Sequence, residues 1–199
     1  MSSSLDILLL LVLILLNGVF AMSEISVVTS RRARLQKLLD EKTTGAQRAQ
    51  ELNADPTRAL STIQVGITSI GILSGIVGES ALAQPVAAGL ISLGVNPETA
   101  KGIGVVIVVV LITYFSIVLG ELVPKRIGQM SPERIACRIA PPIHFLSVVA
   151  APFVQLLSIS TRWLLKRLGI EEKVGASVTE EEIHAMIEEG QESGVIETA

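Results

Sequence analysis

The stretch Gly120-Glu121-Leu122-Val123-Pro124-Lys125-Arg126 sets a carboxylate, a proline and two cations at the end of an uncharged apolar run, Gly102 to Gly120. As an α-helix such a run covers about 28 Å, close to the hydrocarbon thickness of a bilayer. Pro124 has no N–H, and its ring presses on the carbonyl four residues back, that of Gly120. If the helix continues past this point, the Gly120 oxygen loses its usual donor. A carboxylate beside a freed carbonyl at the membrane edge suits a hard cation, which takes oxygen ligands. The plainer alternative is a helix-end ion pair between Glu121 and Lys125, four residues on in the favoured orientation.

Other polar residues lie inside apolar runs. Glu24, preceded by Ser23, falls within the first of them. An intramembrane carboxylate is costly and faces a partner or a wet cavity, unless it reaches the interface, here beside Arg31. Asn17 is nearly on the same helical face, as part of an ion path or as a tie between helices. The second run carries Ser61, Gln64, Thr68, Gly71, Gly75 and Gly78 at spacings of three and four, which line up on one helical face. Ser69 points toward the neighbouring face with Thr62 and Gly66. Such a stripe either lines a cavity or lets two backbones approach closely. The third run adds Thr113 and Ser116 on the side of Gly120. Mg²⁺ and Ca²⁺ both suit oxygen ligands of this kind, and the residues alone do not separate them.

His144 and Cys137 stand apart from any ligand spacing, and the chain holds no dinucleotide, Walker, zinc-protease or serine-nucleophile motif. The reading is of a non-enzyme without a nucleic-acid partner.

The elements that must position these residues follow from composition. Of 199 residues 49% are hydrophobic, 18% charged and 3% aromatic, whereas a soluble domain carries about 25% charged residues. The class is an all-α integral membrane protein. Three spans are expected at about residues 5–29, 59–78 and 102–123, the first retained rather than cleaved because it lacks a basic leader and a cleavage site. Asp55-Pro56 is a helix-start signal before the second span. Seven Lys/Arg lie between Arg31 and Arg58 and eight from Pro124 onward, against one, Lys101, between the second and third spans. Basic flanks mark the cytoplasmic side, which puts the N-terminus outside and the C-terminus inside the cell (plasma or inner) membrane. Ile139 to Thr161 is uncharged and long enough for a fourth crossing, but basic clusters lie on both sides of it. Pro141-Pro142, His144, Pro152 and Gln155 break it up, so residues 131–168 are expected to form a broken helix pair, interfacial or re-entrant. The membrane domain then occupies 1–170. From Glu171 the composition turns soluble; Thr179-Glu180-Glu181-Glu182 fits a capping box opening an amphipathic helix that runs to Gly194. Residues 171–199 look like a cytoplasmic linker cut from something longer.

Three stretches carry a resemblance. Asn17-Gly18-Val19-Phe20-Ala21-Met22-Ser23-Glu24 with Ser30-Arg31-Arg32-Ala33-Arg34-Leu35, then Pro56 to Thr68, then Gly120-Glu121-Leu122-Val123-Pro124-Lys125 resemble, in order, motifs of the CorC/CNNM family of membrane proteins. The resemblance implies a homodimeric Mg²⁺ exporter, coupled to inward Na⁺, with three transmembrane helices and cytoplasmic juxtamembrane helices. It also implies ion ligands at Ser23, at Thr68 or Ser69, and at Gly120 and Glu121, with Asn17, Glu24, Gln64, Pro124 and Lys125 as pathway or gating positions. Animal members carry asparagines in the second-span motif, where this chain has Ile67, Thr68 and Gly71. Residues 180–194 are similar to the linker ahead of a CBS pair, the nucleotide-binding module absent from this chain. The competing class is a membrane-anchored regulatory or scaffold protein, in which the polar residues only hold helices together; an uncoupled cation channel is a third possibility.

Overall fold

The computed structural model describes residues 3–170, and among them every regular element is a helix. In order these are α1 (Ser3–Thr29), α2 (Arg32–Asp40), α3 (Ala46–Ala54), α4 (Pro56–Ser92), α5 (Pro97–Ile117), a π turn (Val118–Leu122), α6 (Val123–Met130), α7 (Pro132–Val149) and α8 (Ala151–Arg167). The capping box at Thr179 and its helix lie outside the described residues.

Three stretches are long and apolar enough to cross a membrane: Ser4–Thr29, Pro56–Ser92 and Pro97–Met130. Their outward faces are apolar: Leu8 and Leu15 are each 55% exposed, and Val106 and Val110 each 62%. An exposed surface of this kind is stable only against lipid or another apolar partner.

The chain divides into two compact units, one ending at Leu156 and the other starting at Leu157. In the first, close approaches at glycines fix the helix order. A Cβ on Gly66 would stand 2.6 Å from the Phe20 ring, while one on Gly78 would overlap Ile112 and reach Leu10. Residue numbers thus rise along α4 as they fall along α1, and the two helices are antiparallel. Gly104 lies against the backbone of Ala83 and Ala87, so α5 returns antiparallel to α4. Leu10 and Ile14 of α1 meet Val108 and Ile112 of α5 in a small buried cluster.

A second core, at the opposite end of α1, joins α2, α3 and α7 to the start of α4 through Leu35, Leu52, Ile63, Ala136 and Ile139. The junction after α1 is tied down by polar groups. The Asn53 amide donates to the carbonyls of Val27 and Ser30, at 3.3 and 3.2 Å, which the helix end leaves without donors. The Arg31 N–H donates to Oε1 of buried Glu133 at 3.3 Å, and Arg34 stands 3.9 Å from the same carboxylate.

Three boundaries differ from the sequence expectation. Helix α4 does not stop near Gly78 but continues through Pro85 to Ser92. One proline removes one donor, and packing of the Ala83–Ala87 turn on Gly104 holds the helix together. Helix α5 begins at Pro97 rather than Gly102. Asn96 caps it by accepting from the Glu98 N–H at 3.0 Å, with proline at the first helical position. Pro141-Pro142 does not break α7. The Cys137 carbonyl, which Pro141 deprives of a donor, lies directly under the backbone of Gly45, held at φ 83° where no Cβ fits. The break falls at Ala150 instead, where α7 and α8 bend by 72°.

In the second unit, the final turns of α8 place the Arg167 guanidinium over the Trp163 ring, 5.4 Å from its centroid.

Candidate cation site

Proline chemistry builds the site. The Val123 N–H reaches back five residues to the Val118 carbonyl, and this single π turn absorbs the clash that Pro124 would cause in an α-helix. The Gly120 carbonyl, four residues ahead of Pro124, accepts from Nδ2 of Asn17 on α1 at 3.0 Å. Gly120 is buried, and a Cβ there would stand 3.2 Å from both Asn17 Nδ2 and the Ile14 carbonyl.

The same face of the α5–α6 segment repeats this approach at intervals of four. Pro124 packs against Gly18, where a Cβ would be 2.9 Å from Cγ of the proline ring. Gly128 packs against Ile25, the Met22 carbonyl and Ser26. The segment therefore runs parallel to α1, locked at three successive rungs.

Beside these rungs stands an ion cluster. Nζ of Lys125 donates to Oε1 of Glu121 at 2.8 Å and stands 3.1 Å from Oε2 of Glu24. Sequence spacing gives the first contact. It leaves Glu24 with Arg31 as the nearby cation; the structure pairs it with Lys125 instead, because α1 and α6 are parallel and in register. All three side chains remain between 30% and 44% exposed.

Glu121 also lines a cavity of about 290 Å³ between the three spans, with Asn17 from α1, Gly71 and Gly75 from α4, and Thr113 and Ser116 from α5. Ile67, Ile112 and other aliphatic side chains complete its wall. Oδ1 of Asn17 is buried and has no hydrogen-bond partner among the described residues. A buried amide oxygen without a donor costs about 1–3 kcal/mol.

The remaining sequence candidates are placed elsewhere. Ser23 is fully buried, and its hydroxyl donates to the Val19 carbonyl at 2.6 Å. Ser26, Thr29 and Ser30 make the same bond one turn back, which satisfies hydroxyls where water is scarce. Gln64, Thr68 and Ser69 are exposed on the outer side of α4 and do not line the cavity. Thr113 and Ser116 do line it; their spacing on the Gly120 side of α5 was the signal.

The fold and this site define a multi-pass α-helical membrane protein with a largely aliphatic cavity between its spans that one carboxylate, Glu121, borders. Residues 8–199 match the model of the cyclin M transmembrane N-terminal domain, and the chain belongs to that family, CNNM. It is 41% identical over 198 residues to the UPF0053 protein sll0260 of Synechocystis sp., covering 100% of this chain and 44% of that one. It is 32% identical over 191 residues to the polyamine export protein of Escherichia coli (strain K12), covering 96% and 42%. The UPF0053 protein YhdP of Bacillus subtilis is 28% identical over 193 residues, covering 96% and 44%. The chain thus spans less than half the length of the curated relatives it matches.

Proposed function

We propose that this chain is the membrane part of a cation exporter, and that Glu121 binds the cargo in the cavity between α1, α4 and α5. The observation that carries this reading is that Glu121, Asn17, Thr113 and Ser116 line a single cavity, with Oδ1 of Asn17 buried and without a hydrogen-bond partner among the described residues. Magnesium is the first cargo. Mg²⁺ keeps several waters when it binds, and a cavity of about 290 Å³ has room for them. The proposed ligand set keeps Glu121 and the second lone pair of the Gly120 carbonyl. Asn17 Oδ1, Thr113 and Ser116 take the places that the resemblance gives to Ser23, Thr68 and Ser69. Export is driven by inward Na⁺ and carried out by a homodimer. Helices α2, α3 and α7, which carry Arg32, Arg34, Lys37, Arg48, Arg134 and Arg138, face the cytoplasm at the cell membrane, with the N-terminus outside.

A second cargo, an organic polyamine, is favoured by a separate observation. Glu121 and Glu24 already hold an alkylammonium group, that of Lys125, and the cavity wall is otherwise aliphatic, as a methylene chain requires. Relatives named polyamine export proteins point the same way. Vesicles loaded with Mg²⁺ or with spermidine separate the two cargoes. Efflux of one and not the other assigns it, and Glu121→Gln should abolish that efflux. Full efflux through Glu121→Gln would remove the cargo site from Glu121.

A further inference from the structure

The cluster beside the cavity contains its own cation. Lys125 holds two carboxylates that belong to different helices, and one of them, Glu121, is the acidic wall of the cavity. The backbone around it has little freedom. Gly120, Pro124 and Gly128 are packed closely against α1 at three successive rungs. The lysine stem, with four rotatable bonds, is the part of the cluster that can move.

Resting on the cargo reading above, we propose that Lys125 is a tethered surrogate for the cargo. Its ammonium occupies Glu121 and Glu24 when the cavity is empty, and a cargo cation binds by displacing it toward water. Charge accounts for why such a device is useful. Two carboxylates and one ammonium leave the cluster at −1; without Lys125 it would stand at −2 and hold a dication too firmly to let it go. A flexible tether presents its ligand at an effective concentration in about the millimolar range. Cargo therefore competes with the ammonium on entry and is pushed off by it on release.

The experiment uses the purified chain in lipid nanodiscs, with MgCl₂ and spermidine as probes. Modification of Lys125 by an amine reagent is followed by mass spectrometry, with Lys37 and Lys42 as internal references. The expected result is faster modification of Lys125 when the bound probe is added, with the references unchanged. Lys125→Met should bind the probe roughly tenfold more tightly, since two half-exposed ion pairs no longer compete, while Lys125→Arg, which keeps a cation, should stay within about threefold of the parent. Binding to the parent with no change at Lys125, or unaltered affinity in Lys125→Met, overturns the displacement and leaves the cargo site standing. Absence of binding of either probe to the parent overturns the cargo reading and the displacement together. Should Lys125→Met fail to fold, labelling of the parent chain decides by itself.

Discussion

Asn17 on α1 donates its amide hydrogen to the carbonyl of Gly120 at 3.0 Å, across 103 residues of sequence. The bond meets two needs at once. It gives the Gly120 carbonyl a donor beside the π turn, and it fixes α1 to that turn just where Glu121 lines the cavity. The other end of the same amide, Oδ1, is buried and has no hydrogen-bond partner among the described residues.

Replacing Asn17 by Leu should therefore cost stability and also impair binding. Interhelical hydrogen bonds between membrane helices contribute about 0.6 kcal/mol on average and up to about 1.7. A loss of that size should lower the melting midpoint by about 2–4 °C per kcal/mol. Melting of the parent and the variant in detergent, with and without MgCl₂, measures both effects. A midpoint equal to the parent's would show that the Gly120 carbonyl is satisfied some other way.

Gly128 and Gly75 should respond in opposite ways to the same treatment. A Cβ on Gly128 would run into Ile25, so Gly128→Ala should destabilise by about 1–3 kcal/mol, the usual cost of overpacking. Gly75 has open space around it. Gly75→Ala should melt no lower than the parent, and up to about 1 kcal/mol of helix propensity acts in its favour. Gly75→Leu, which fills the cavity, should block efflux without unfolding the chain. Efflux at parental rates through Gly75→Leu would place the path elsewhere.

At Gly45 two constraints coincide, a left-handed backbone at φ 83° and the Cys137 carbonyl where a side chain would begin. Gly45→Ala should cost at least about 1–2 kcal/mol from the backbone conformation alone. The damage should concentrate in the α3–α7 packing, and hydrogen exchange at those amides, faster in the variant, would report it.

Glu133 is 7% exposed and holds both the Arg31 N–H and the Arg34 side chain. Glu133→Ala leaves that N–H without its carboxylate and should lower stability by about 1–3 kcal/mol. Glu133→Gln keeps an acceptor and should recover most of the loss. If the two variants melt alike, the carboxylate's hydrogen bond is not what ties α1 to α7.

Local chemistry in the chain was enough to fix several features. Apolar runs about as long as a bilayer's hydrocarbon is thick admit only helices across it, so three spans were legible. The place of the helix distortion was legible too, because a proline's missing donor and its ring act on the turn before it, where the π turn falls. So was the Lys125–Glu121 pair, which the helix repeat brings together. The remaining features depended on register between segments far apart in sequence. Parallel packing of α1 on α6 decided that Glu24 meets Lys125 and not Arg31, and that Asn17 reaches Gly120. The rotation of α4 decided that Gly71 and Gly75 line the cavity while Thr68 and Ser69 face outward. No spacing rule carries that information, because a stripe of small polar residues looks the same whether it faces a cavity or a neighbour. Only the close approaches at Gly66, Gly78 and Gly104, set once all three spans are packed together, choose between them.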